Sequence, residues 1–219
     1  MRYFAKTQGE LFDTLRKQTK KKILRLSWSD FVTKHYNLYS DIKRDLLSSQ
    51  GEYCAYCEKR IDIENSHIDH YFSRSLFTNL TYDKSNLYLS CMSNGHCGIA
   101  KDNLTECKEI DIKETIKPDQ LINGKYIENF LFYTREGEIK VLPLDELSPR
   151  DFIKLENTIS KLNLNEPSLV NERKNLLSTL EKIYKAQGRP SNEMIQRIKN
   201  KYGIPTLIEQ YLKEKIQIY

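Results

Sequence analysis

Apolar positions in this chain fall into a helical period, lose it, and recover it, which divides the sequence into three parts. Phe31, His35, Leu38, Ile42, Leu46 and Leu47 recur near helical spacing, so residues 1–50 read as mostly helical. Gly51 supplies the stop. Residues 51–108 hold no sustained period. Asn, Ser, Gly and Cys crowd them, and there is room only for short strands. Such a piece buries too little to stand alone and needs a staple. Pattern returns in residues 109–219. Stretches 126–132 and 139–142 read as strands joined by the turn Thr134-Arg-Glu-Gly137-Glu, a hairpin. Ser148-Pro149 opens a helix, with serine as cap and proline in the first turn. Leu162-Asn-Leu-Asn-Glu-Pro is a loop, a helix follows over about 168–186, and Gly188-Arg-Pro190 ends it. Ser191 caps the last helical stretch, which breaks at Gly203-Ile-Pro205 and leaves an amphipathic tail over 206–219.

Composition narrows the class. The apolar share is moderate and aromatics are ample, which excludes a disordered chain. No run is long enough for a membrane-spanning helix, and the first residues lack the apolar core of a signal peptide. The expectation is a soluble cytoplasmic protein with no membrane partner. In a reducing compartment clustered cysteines are metal ligands more often than disulfides. Charge is uneven: residues 1–50 carry eleven Lys/Arg against five Asp/Glu, a net +6, whereas the whole chain carries +5. The densest basic stretch, 16–25, could follow a phosphate backbone or be a solvated helix face.

The chemistry is concentrated. Of five cysteines and four histidines, four cysteines and three histidines lie between residues 54 and 97. Cys54-x-x-Cys57 has knuckle spacing, and Cys91 with Cys97 completes a closed tetrahedral set for structural zinc; His96 competes for the fourth place. Cys107 is left as a buried or idle thiol. Between the knuckles sit Asp69-His70 and, sixteen residues on, Asn86. Imidazole titrates near neutrality and suits a general base, and a carboxylate offers hard oxygen to Mg²⁺ or Mn²⁺. His67 shares the strand face of Asp69, as its partner or as plain structure.

The order "CAYC", "IDH", "SNLYLSC", "CGIAK" resembles the HNH endonuclease superfamily over residues 51–108. Within it the closest likeness is to the PtuB-like HNH proteins of Septu and retron-associated anti-phage systems. Softer matches in the flanks are Gln50-Gly51, Leu162-Asn-Leu-Asn and Arg173. The resemblance implies an α+β fold: mainly helical flanks around a small zinc-stapled ββα-metal finger, with a β-hairpin after it. The division is 1–50, an N-terminal helical segment; 51–108, the finger; and 109–219, the hairpin and C-terminal helical region.

It also implies a metal-dependent nuclease acting on DNA, with RNA as the alternative. His70 would be general base, Asp69 a ligand of the catalytic ion, and Asn86 the orienting residue. Arg74 and Lys101 would hold phosphate oxygens. A PtuA-like ATPase would be the partner, together with a retron reverse transcriptase and its non-coding RNA/DNA. Two departures stand out. Gly98 occupies the place of the family's second metal ligand, for which His96, Asp102 or Asn103 are the substitutes, and Phe72-Ser73 replaces the usual proline. The competing reading is a zinc-ribbon binding or interaction subunit without catalysis.

Overall fold

The computed structural model describes residues 1–6, 26–103 and 111–217. The basic stretch 16–25, Cys107 and the last two residues of the tail lie outside the described residues. Helix α1, Trp28–Lys34, starts where the Ser27 hydroxyl accepts the Asp30 N–H at 3.1 Å. Helix α2, Tyr36–Ser49, ends at Gln50, and Gly51 follows with φ of +63°, a left-handed turn that glycine adopts freely. The first cysteine pair sits in a tight turn closed by the bridge between Tyr53 and Arg60. Strands β1, Ser66–His70, and β2, Leu87–Cys91, pair antiparallel from Ser66 opposite Cys91 to His70 opposite Leu87. Helix α3, Cys97–Asn103, packs across both.

The second half holds strands β3, Leu131–Tyr133, and β4, Ile139–Val141, in a hairpin, then α4, Pro149–Lys161, α5, Pro167–Gln187, α6, Asn192–Tyr202, and α7, Pro205–Gln217. The class is α+β, small antiparallel sheets among helices, as expected. One strand is shorter than its pattern suggests. Residues Ile127–Phe130 form a 3-10 turn. Ile127 and Phe130 are both fully buried, which three residues per turn allows, whereas a strand would send them to opposite faces.

Flanks and central segment share one hydrophobic core, running from Met1 and Phe31 through Leu87 and Leu89 to Leu207 and Ile208. Polar side chains tie the parts together. The Gln50 amide donates to the Leu89 carbonyl at 2.8 Å and accepts the Leu89 N–H at 2.8 Å, and the Ala55 N–H adds a bond to the same carbonyl at 3.1 Å. Together they cover the outer edge of β2, which would otherwise present bare N–H and C=O groups.

The loop after α4 does the same for the segment before α3. The Leu162 carbonyl accepts the Cys97 N–H at 2.7 Å, and the Asn163 amide donates to the Gly95 carbonyl at 2.7 Å. Asn165 pairs with the Ile139 backbone in β4, at 2.8 and 3.0 Å. Arg173, fully buried, donates to the Leu164 carbonyl at 2.7 Å and lies over the Tyr133 ring. Glu58, also buried, accepts from the Thr206 N–H at 2.9 Å and from the Tyr133 hydroxyl at 3.2 Å, and pairs with the Met1 ammonium group at 2.7 Å. The apolar side of α7, Leu207, Ile208, Tyr211 and Leu212, is buried within the chain.

Gln50→Leu keeps the bulk but orphans the Leu89 N–H. The expected outcome in denaturant unfolding of this variant is a loss of about 2 kcal/mol, the cost of an unpaired buried amide.

Candidate functional site

Four sulfurs meet at one point. Cys54 and Cys57 come from the knuckle turn, Cys91 from the end of β2, and Cys97 from the start of α3, and their sulfurs all lie within 4.8 Å of one another. Cys54 and Cys97 are 3.8 Å apart, Cys57 and Cys91 3.9 Å. Zinc–sulfur bonds of about 2.3 Å at tetrahedral angles place sulfurs about 3.8 Å apart. The donor set therefore fits a zinc ion with a closed sphere. The Cys91 N–H donates to the Cys54 sulfur at 3.4 Å. Burial pushes the Cys57 and Cys97 thiols up, so a dication is needed to hold them as thiolates. His96 places Nδ1 3.1 Å from the Cys97 sulfur and 3.8 Å from that of Cys91, beside the thiol cluster.

Asp69 and His70 close β1 and leave it on opposite faces, as strand alternation requires. His70 turns toward α1. Its Nε2 lies 2.9 Å from the Thr81 carbonyl oxygen, and because a carbonyl only accepts, Nε2 carries the proton and Nδ1 has the lone pair. Trp28 meets the imidazole edge-on, with ring centroids 4.5 Å apart. Burial pushes the His70 pKa down from 6.5 to about 4, against the pull of the Thr81 carbonyl, and the imidazole is neutral at neutral pH.

Asn86, 1% exposed, holds the loop that carries Thr81. Its Oδ1 accepts the Phe72 N–H at 2.7 Å, and its Nδ2 donates to the carbonyls of Phe72 at 3.0 Å and Leu80 at 3.2 Å. One side chain thus closes the loop from 72 to 80, and the loop positions the acceptor for His70. Arg74 stands exposed on that loop, its guanidinium 5.9 Å from the centre of the Trp28 ring.

Asp69, 3% exposed, faces α3. The Tyr56 hydroxyl donates to its Oδ2, and Oδ1 lies 3.5 Å from the Lys101 ammonium. Lys101 is itself buried, and its ammonium donates to the His70 carbonyl at 3.0 Å and to Asp102 at 2.6 Å. Burial pulls the Lys101 pKa down, but Asp69 and Asp102 outweigh it and keep the ammonium charged. The lysine expected to grip phosphate is turned inward. Gly98 is required where it stands: a Cβ there would lie 2.7 Å from the Asp69 Cγ. His67 lies on the Asp69 face of β1, and its buried Nδ1 has no hydrogen-bond partner among the described residues.

Sequence reasoning missed Tyr56, Trp28 and Thr81. Nothing in the pattern ties Trp28 or Thr81 to His70.

Zinc analysis of the purified chain is expected to find about one ion, and Cys91→Ser is expected to lose both the ion and the cooperative melt. Gly98→Ala retains zinc but loses about 2 kcal/mol in denaturant unfolding, because the new methyl displaces Asp69 from Tyr56 and Lys101.

No family model matches the chain. Among curated proteins it is similar to one from Vibrio cholerae serotype O1 biovar El Tor named "Retron Vc95 putative HNH endonuclease". The two are 26% identical over 185 residues, which covers 78% of this chain and 81% of the relative. That likeness over most of both chains supports the resemblance to the HNH superfamily, and with it a nuclease at the level of the family.

Proposed function

We propose that the chain is an HNH-type endonuclease subunit that hydrolyses nucleic-acid phosphodiesters, with β1, β2 and α3 as its ββα finger (residues 51–108) between the two flanks. The observation that carries this reading is the state of His70: neutral, its Nε2–H tied to Thr81 by a loop that Asn86 clamps, and Nδ1 left as a base. In the reaction a water oxygen bonds to phosphorus as its proton passes to Nδ1, and the P–O bond to the leaving alkoxide breaks. The alkoxide takes its proton from solvent. Arg74, exposed beside Trp28, is the nearby cation for a phosphate oxygen. The family resemblance favours DNA, with RNA as the alternative; engagement of backbone phosphate does not itself distinguish the two.

The structural ion is zinc on the four cysteines. Mg²⁺ or Mn²⁺ on Asp69, with His96 as second ligand, fits the residues poorly. Both Asp69 oxygens are engaged, Gly98 leaves no room for a ligating side chain, and the hydrogen bonds of His96 go to the thiols. Catalysis is therefore assigned to His70 and its loop.

The retron in the relative's name supports a place among PtuB-like anti-phage subunits, with a PtuA-like ATPase and a retron reverse transcriptase as partners. Two stretches are candidates for docking the ATPase, the basic run 16–25 and the amphipathic tail 206–219; burial of the apolar side of α7 within the chain argues against the tail and favours 16–25. No helix among the described residues is long and apolar enough to cross a membrane. The inward-turned Lys101 favours one second reading, a zinc-braced module that binds nucleic acid without cutting it.

Cleavage of DNA and RNA panels by the chain, alone and with the ATPase, separates the two readings. His70→Ala still melts cooperatively, at a lower temperature because the Trp28 contact and the Thr81 bond are lost, and its rate falls by about 10²- to 10⁴-fold beyond what the remaining folded fraction accounts for. Binding without cleavage by the wild type in every condition would leave the second reading standing. The pH profile of kcat/KM adds an independent mark. Since the folded His70 gives up its proton at about 4, the acidic limb falls near pH 4 rather than near 6.5. The same shift costs stability as pH drops from 6.5 toward 4, because the unfolded chain takes up that proton first.

A further inference from the structure

Three oxygens converge on the Lys101 ammonium: Asp102 Oδ1 at 2.6 Å, the His70 carbonyl at 3.0 Å and Asp69 Oδ1 at 3.5 Å. Two are carboxylate oxygens and one is a peptide carbonyl, the hard donors that divalent cations of the Mg²⁺ and Mn²⁺ class select. The Lys101 side chain is 1% exposed, so its ammonium is enclosed by the protein rather than presented to solvent. Gly98 and Lys101 are one turn apart on the face of α3 turned to β1, and together they fix how closely that face approaches. The glycine lets Asp69 come in; the lysine brings a positive charge to meet it.

A dication and this ammonium exclude each other. They would repel at contact distance in a dry setting, and they would compete for the same three oxygens. Without the ammonium, the Asp69 carboxylate would stay buried with only the Tyr56 hydroxyl donating to it, which is unfavourable for a buried charge, while Asp102, its side chain 48% exposed, would keep access to water.

We propose that Lys101 is a tethered cation filling a three-oxygen divalent-ion site made by Asp69, Asp102 and the His70 carbonyl, so that the wild-type chain binds no divalent ion at Asp69. The site deepens the nuclease reading, on which its consequence for rate rests; whether an ion binds does not depend on cleavage. Lys101 acts as a positioning residue. It fixes Asp69 on one side and the backbone of His70 on the other, and it supplies from within the chain a charge that would otherwise come from solution.

The test is binding of Mn²⁺, followed by loss of the free-ion electron paramagnetic resonance signal, with zinc content and melting curve recorded for each protein. Wild type takes up no Mn²⁺ beyond what Asp69→Asn also takes up. Lys101→Ala, which opens the space, takes up about one more ion per chain, and Lys101→Ala with Asp69→Asn loses it again. A wild-type ion that Asp69→Asn removes overturns the proposal, since the ammonium then yields to the metal. A folded Lys101→Ala that binds nothing extra overturns it as well. Should Lys101→Ala fail to fold, the comparison of wild type with Asp69→Asn still decides. None of these readouts involves cleavage, so a chain that cuts nothing can pass, and a chain that cuts can fail.

Discussion

Four cysteine sulfurs converge in the core within 4.8 Å of one another, and most of the central architecture follows from how they reach that point. The sulfurs come from three separate places, the knuckle turn, the end of β2 and the start of α3. Bringing them that close, where one metal ion could bind all four, fixes α3 against the hairpin. That crossing then sets everything on the inner face: Gly98 meets Asp69, and Lys101 reaches past it to the His70 carbonyl. Burial pushes the Cys57 and Cys97 thiols up, so a dication held by the four sulfurs would also hold the crossing.

The outer face is organised by hydrogen bonds rather than by metal. Asn86 grips both ends of a loop whose Thr81 carbonyl holds one nitrogen of His70. Trp28 closes the other side from a helix more than forty residues upstream. Asp69 and His70 are neighbours in sequence yet belong to two environments: a charged, enclosed one facing α3, and an aromatic one facing α1.

Where a feature was legible in the sequence, it depended on spacing along a single element. The cysteine knuckle, the caps at Ser148 and Ser191, the hairpin turn at Gly137 and the helix stop at Gly188 are local, and local chemistry suffices to read them. Features that depended on one element crossing another were not legible. Lys101 looks like any solvated lysine until the angle of α3 across β1 is known. Tyr56 looks like filler in a CxxC turn until Asp69 is seen beneath it. The 3-10 turn at Ile127–Phe130 was hidden because aromatic and branched residues favour a strand, while burial of both ends favours a turn. Gln50 and the Leu162–Asn165 run could be noticed only as soft flank matches; their bonds to Leu89, Cys97, Gly95 and Ile139 give each a physical duty.

That last run bears on heredity. The carbonyl of Leu162 and the amide of Asn163 complete a cysteine knuckle some sixty-five residues earlier in the chain, and Asn165 passes the connection on to the second hairpin. A gene fragment encoding only residues 51–108 would lose the Leu162 and Asn163 partners of the Cys97 N–H and the Gly95 carbonyl, and would lose Gln50 from the edge of β2. Recombination that shuffles this finger between proteins therefore has to carry the distant loop with it. Lineages of this chain should lose or gain the two segments together, and a transplant confined to the metal knuckles should arrive unfolded.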